Sequence, residues 1–328
     1  MISFWVAVLS VSILIYVLLD GFDLGIGIIF GFMPTEARRA SLLQAIEPLW
    51  DGNETWLVVT GVVLWGAFPI VYATLLSAFY LPLLAMLGGL ILRGVAFEFR
   101  DKAERLRWIW DAGFALGSLV AAFVQGVAVG ALVEGLPMSD GQYVGGDFGW
   151  ASPFALLCGV GLSIGYALLG AAWLAYKCEG ELKDTAYRLI RFLAPGLLFF
   201  LVVVFAFALN KNFAVMERWL MRPILFLFPM VGVSAGALLG ASIKQRWDAG
   251  PFITVAIVFV SAFGTLALSF WPYMIPFSIT IDQAAAPRES LSFMFWGAGL
   301  FVFPLMLVYV VFNYRVFRGK NRPSADHY

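Results

Sequence analysis

Long apolar runs separated by short polar joints fill this chain from end to end. Nine runs are long enough to cross a bilayer as helices, at roughly 4–32, 53–72, 74–98, 111–134, 153–177, 191–210, 223–242, 250–270 and 290–314. No charge interrupts the stretch from Trp56 to Leu92, which predicts most of two spans joined by a tight turn near Pro69 to Ala73. Between Pro34 and Pro48, Arg38 and Arg39 stand beside Leu42, Leu43 and Ile46, the pattern of a short amphipathic helix lying on the membrane surface. No joint exceeds about 20 residues, so there is no room for a soluble catalytic domain. The pattern therefore predicts an all-α polytopic membrane protein with about nine transmembrane helices.

The first run carries an anomaly, Leu19-Asp20-Gly21-Phe22-Asp23-Leu24-Gly25. An aspartate at the centre of a membrane helix costs about 2.5–3.5 kcal/mol, and such residues mark functional sites by default. The i, i+3 spacing puts both acids on one helix face. Gly21 and Gly25 form a small-xxx-small pair that lets a second helix approach closely. A structural alternative is that Asp20 and Asp23 cap a break at Gly21 or pair with a basic residue elsewhere.

A second polar stretch, Trp50-Asp51-Gly52-Asn53-Glu54-Thr55-Trp56, opens the second run. Asn53 suits a helix cap and Glu54 the first turn, near the positive end of the helix dipole. Arg93, inside the third run, either snorkels to the interface or is the counter-ion of a buried acid. In the fourth run Gln125 reads as interhelical glue, and Glu134 sits at the helix end.

Composition agrees with the pattern. The chain is 62% hydrophobic and 13% charged, with mean hydropathy +0.89, against about 25% charged for soluble domains. The net charge is zero, which gives no reason to expect nucleic acid. Sixteen of the 21 Lys and Arg residues follow the first, third, fifth, seventh and ninth runs. By the positive-inside rule the N-terminus is outside and the C-terminus cytoplasmic. Asp20, Asp23, Asp51, Glu54 and Arg93 then share the cytoplasmic half, and carboxyls at one mouth suggest a proton or cation entry path.

The N-terminus has no basic region or small-residue cleavage site, which predicts a retained span. Cys158 and Cys178, 20 residues apart on one predicted helix, would lie about 30 Å apart, too far to bridge. The single histidine, His327, is in the tail. A haem ligated by histidine then needs another chain to hold it. No phosphate loop, dinucleotide fingerprint or metal-ligand spacing is present. Most of the twelve tryptophans fall near span ends, as interfacial belts do.

The aspartate motif at Asp20 to Gly25, followed by Trp50 to Trp56, resembles subunit II of the cytochrome bd-type quinol oxidases. Ala67-Phe68-Pro69 and Leu92-Arg93-Gly94-Val95-Ala96-Phe97-Glu98-Phe99-Arg100 look like the cyanide-insensitive branch. The resemblance implies two four-helix bundles, about 1–134 and 153–270, plus a peripheral ninth helix at about 290–314. It implies a heterodimer with a homologous subunit I that carries two b-type haems, one d-type haem and the quinol site, and it leaves open a small accessory subunit. No cofactor or metal, and no catalytic residue, is then expected on this chain. The complex would oxidise quinol, reduce dioxygen to water and take its protons from the cytoplasm, in a bacterial cytoplasmic (inner) membrane.

By the same resemblance Asp51 matches an acid of a cytoplasmic proton path, and Asp20 and Asp23 match acids near its mouth. Trp56 matches a tryptophan at the entrance of an apolar oxygen route. Two departures stand out: Glu54 replaces a glutamine, adding an acid to the entry, and the outer segment from Lys211 to Arg222 is short. A rival class, an ion-coupled transporter, would also place acids mid-membrane, but no matched pair of broken helices is evident.

Overall fold

A computed structural model describes residues 1–320 except 104, 212–216 and 218, and only the backbone of 208–211. His327, Arg218 and Arg322 lie outside the described residues, as do the side chains of Asn210 and Lys211. The long helices are α1 (Ile2–Phe30), α3 (Trp50–Ala67), α5 (Tyr80–Phe99), α6 (Arg107–Glu134), α7 (Pro153–Lys177), α8 (Gly180–Lys211), α9 (Leu227–Gln245), α10 (Gly250–Phe270) and α11 (Arg288–Val316). The shorter helices α2 (Glu36–Gln44) and α4 (Pro69–Ala78) lie between them. α11 contains a π turn at Phe295–Gly299. Among the described residues eight helices are long and apolar enough to cross a membrane, and nine if the bent pair α3–α4 counts as one.

The expected tight turn near Pro69 to Ala73 is instead the helix α4, set at 119° to α3. The cause is local. Pro69 pushes the preceding residue out of the helical region, and Phe68 adopts φ −137°, ψ 58°. The Ala67 carbonyl left over at the break accepts from the Ala286 N–H at 2.9 Å. α8 starts at Gly180 rather than near 191. Its charged first turns depress local hydropathy, yet Ala186, Tyr187, Ile190, Ala194 and Leu197 are buried at helical spacing. Only Cys178 and Glu179 separate α7 from α8, and Gly180 takes the φ of +62° that this sharp reversal needs.

α1 packs on α3, α6 and α7; α5 packs on α6, α6 on α7, and α7 on α8 and α10. Lipid removes the hydrophobic drive between membrane helices, so close approach must come from small residues. A methyl at Gly25 would stand 1.8 Å from the Tyr166 carbonyl oxygen, and one at Gly170 would stand 2.7 Å from the Gly25 carbonyl carbon. The helix that approaches Gly25 is thus α7. α2 does not lie free on the surface: Leu42, Leu43 and Ile46 are buried in the core, and the Trp173 indole donates to the Ala45 carbonyl at 3.1 Å. Two antiparallel hairpins close the opposite connections. β1 (Met138–Ser139) pairs with β2 (Gln142–Tyr143), and β3 (Tyr273–Ile275) pairs with β4 (Ile279–Thr280).

Candidate functional site, a buried cluster of carboxyls around one arginine

Asp20 and Asp23 are both fully buried, and the helices around α1 supply their neighbours. From α5, Arg93 Nη2 donates to Asp20 Oδ1 at 2.9 Å and to Glu54 Oε2 at 3.3 Å. Arg93 is itself only 2% exposed, so it is paired inside the protein rather than extended to an interface. From α3, Asn53 Nδ2 donates to Asp23 Oδ2 at 2.7 Å and to the Leu19 carbonyl at 3.4 Å. The Tyr314 hydroxyl of α11 donates to Asn53 Oδ1 at 2.9 Å. Asn53 is therefore not a helix cap. α3 begins three residues earlier at Trp50, and the amide bonds to α1 instead.

The polar contacts continue away from Asp20. Tyr16 stands beside Asp20 one turn earlier on α1. Its hydroxyl accepts from Gln125 Nε2 at 2.8 Å, and Gln125 Oε1 accepts from the Tyr166 hydroxyl at 2.7 Å. Gln125 thus joins α1, α6 and α7, as interhelical glue does. Of the acids read from the sequence, Asp20 and Glu54 pair with Arg93, with Glu54 27% exposed at the edge, and Asp23 joins the cluster through Asn53. Asp51 does not join them: it is exposed on α3, one turn before Glu54. Trp56 is fully enclosed and meets the Phe303 ring of α11 edge-on, with centroids 6.0 Å apart. Glu134, at the far end of α6, accepts from the Ser152 hydroxyl.

Sequence reasoning passes over Tyr16, Tyr166 and Tyr314. Each is a hydroxyl inside an apolar run, where a polar atom needs a partner, and that is the available signal. It also passes over a second charged cluster. Arg100, 1% exposed, donates through Nη2 to both Glu36 oxygens at 2.8 and 2.7 Å and through Nε to Asp111 Oδ1 at 2.5 Å. Arg39 Nη1 reaches Asp111 Oδ2 at 2.7 Å, and Arg107 Nη2 reaches Glu36 and Asp101 at 3.0 Å each. This cluster pins α2 to the α5–α6 turn.

The chemistry open to the central cluster comes from its imbalance. Three carboxyls share the cluster with one guanidinium, and among the described residues Asp20 Oδ2, Asp23 Oδ1 and Arg93 Nη1 are buried without a protein hydrogen-bond partner. Such a site suits proton or cation exchange better than static pairing. Among the described residues no three of His, Cys, Asp and Glu converge in a way that would hold a metal ion.

The family model for cytochrome bd terminal oxidase subunit II matches residues 1–317. The chain is 30% identical over 352 residues to the cytochrome bd-I ubiquinol oxidase subunit 2 of Escherichia coli (strain K12), covering 94% of this chain and 92% of that protein. It is 31% identical over 346 residues to a probable cytochrome oxidase subunit 2 of Haemophilus influenzae, covering 95% and 91%. The cytochrome bd ubiquinol oxidase subunit 2 of Bacillus subtilis is 29% identical over 327 residues, covering 96% and 95%. A solved chain of the bd oxidase from Geobacillus thermodenitrificans superposes with a TM-score of 0.80 over 96% of each chain, a likeness of fold at 17% identity.

Proposed function

The chain belongs to the cytochrome bd terminal oxidase subunit II family, and on that premise we propose that it is the haem-free subunit of a quinol:oxygen oxidoreductase. It stabilises a haem-bearing subunit I and supplies carboxyls to proton uptake from the cytoplasm. The two b-type haems, the d-type haem and the quinol chemistry belong to subunit I. The N-terminus faces outward and the C-terminus the cytoplasm. In this reading α1, α3, α5 and α6 form the first bundle, α7 to α10 the second, and α11 is peripheral.

The single observation behind the proton role is the three-to-one ratio of carboxyls to guanidinium at membrane depth. Asp20 and Asp23 form the mouth of this supply, with Glu54 at the edge of their cluster, and pass protons through bridging water to Asp51, which is exposed. Arg93 offsets part of this negative charge in a low-dielectric setting. Asp51, open on the surface of α3, is the residue best placed to meet a group of subunit I. Trp56, enclosed against Phe303, would stand at the entrance of the route that dioxygen takes.

The test uses the intact complex carrying Asp51→Asn or Asp23→Asn. Quinol-dependent oxygen consumption should fall by at least about tenfold, as the loss of a proton-transfer group does, with the haem spectrum unchanged. Haem lost together with activity would make these acids structural. Native turnover in both variants would remove them from the proton supply.

A further inference from the structure

Lys177, the last residue of α7, is 3% exposed and has no carboxylate partner among the described residues. Its ammonium instead donates to two backbone carbonyls, Phe317 and Gly319 at 2.9 Å for the latter, at the C-terminal end of α11. It also lies 5.4 Å from the centre of the Trp173 ring. A buried ammonium is costly without compensation. Here the compensation comes from the tail of one particular helix.

The first turns of that helix are fixed by buried Leu291, whose carbonyl accepts from the Trp5 indole at 3.1 Å, but no residue from Val302 to Val316 is buried. Three residues before Phe317, Tyr314 makes the polar contact that reaches the carboxyl cluster, and the Trp173 ring meets Tyr314 edge-on at 6.0 Å. Lys177 and Trp173, one helical turn apart, therefore hold the backbone after Tyr314 and the ring of Tyr314.

The Leu19 carbonyl can only accept, so the Asn53 N–H₂ faces it and Asp23, and the Tyr314 hydroxyl holds the amide in that place by donating to Oδ1. An N–H directed at a carboxyl favours its ionised form, whereas a flipped amide would present C=O and favour the protonated form. Asp23 is otherwise faced by Asp20 on its own helix, Glu54 from α3 and Arg93 from α5. α6 and α7 add Gln125 and Tyr166 on the Asp20 side, and the charges of α2 are gathered at Arg100, Asp111 and Glu181. Tyr314 and Asn53 are thus the lever on Asp23 that α11 controls.

We propose that Lys177 is a positioning residue of the carboxyl cluster: by clamping the end of α11 it holds Tyr314, and through Tyr314 the Asn53 amide, against Asp23. The proposal rests on the reading of Asp23 as part of the proton supply. In the assembled oxidase, Lys177→Met and Tyr314→Phe should each move the pH profile of quinol-dependent turnover toward higher pH. The displacement should be about one unit, as expected when one hydrogen bond to an ionised group is lost, at native haem content. Lys177→Arg, which restores charged donors, should return most of the profile. A merely structural lysine would lower the amount of complex without moving the profile.

A native profile in Lys177→Met beside a shifted one in Tyr314→Phe overturns the clamp. If Lys177→Met does not accumulate, Tyr314→Phe and Lys177→Arg still decide, and a native profile in Tyr314→Phe sinks the proposal alone. Asp23→Asn separates the two readings. Native turnover in that variant defeats the proton role, whereas slow Asp23→Asn with native Lys177→Met defeats the positioning role only.

Discussion

Two arginine-centred clusters lie near the same end of the helices and are built from the same groups, yet they are balanced differently. Around Arg100, three guanidinium groups (Arg39, Arg100, Arg107) meet three carboxyls (Glu36, Asp101, Asp111), and each carboxyl accepts from at least one arginine. Around Arg93, one guanidinium meets Asp20 and Glu54, and among the described residues Asp23 has only the Asn53 amide. Of the five buried side-chain polar atoms without a protein partner among the described residues, one belongs to the first cluster, Arg107 Nε. Asp20 Oδ2, Asp23 Oδ1, Arg93 Nη1 and nearby Trp56 Nε1 lie at the second. A protein that needs only to fasten helices balances its charges. Retaining an excess of acid at greater depth costs stability and is sensible where protons are handled.

The sharpest way to break this contrast is Arg93→Met. Removing one partner of a buried pair strands the other and costs about 3–5 kcal/mol, and here Asp20 and Glu54 both lose the cation that pairs them among the described residues. The expected outcome is near-complete loss of assembled complex, read as haem per milligram of membrane protein. Removing Asp20 as well, as Asp20→Asn with Arg93→Met, should recover part of that loss. A fully assembled, active Arg93→Met complex would show that the charge imbalance is neutralised from elsewhere.

The fold and half of this site are legible in the sequence because each rests on a local rule. Apolar runs give the spans, and Asp20, Asp23 and Arg93 stand out as charges where charge is expensive. The pairing of Arg93 with Asp20, 73 residues apart, can be named only as one of two readings, because snorkelling satisfies the same composition. Asn53 looks like a cap for the same reason: its neighbours fit a helix start, and nothing local announces Asp23 or Tyr314. α4 reads as a turn because proline marks a break and leaves the conformation beyond it open. α8 begins earlier than its hydropathy suggests because an amphipathic overhang hides from an apolarity window. The tyrosines escape notice since phenyl rings carry them through any hydrophobic count.

A smaller effect separates the clusters from the other side. Arg100→Met removes bonds to Glu36 and Asp111 in a region partly open to water, where Glu36 is 47% exposed. The expected cost is about 2 kcal/mol, in the range for hydrogen bonds to charged groups. It should appear as faster loss of activity on heating, with turnover per haem unchanged at ambient temperature. Lowered turnover per haem would place this cluster in the proton supply and dissolve the distinction between fastening and proton handling.

The smallest effect is expected at a third, outermost set of charges, which shows what balance without burial contributes. Asp248, in the joint between α9 and α10, accepts from Lys183 and from Lys320 Nζ at 2.6 Å. Those two hydrogen bonds hold its carboxyl below the usual range, against a weaker opposing push from burial. A depressed carboxyl contributes stability that is present above its unfolded value and is lost as pH falls through the lower folded value. The clip should therefore be intact throughout neutral pH and release the tail only in strong acid. Because the Asp248 side chain is 42% exposed, its worth is under about 1 kcal/mol and is screened by salt. Asp248→Asn should leave haem content and heat stability native and should speed proteolytic trimming of the C-terminal tail, and high salt should do the same to the unaltered chain. A heat-stability loss as large as that of Arg100→Met would mean that exposure is not what sets the worth of these charge clusters.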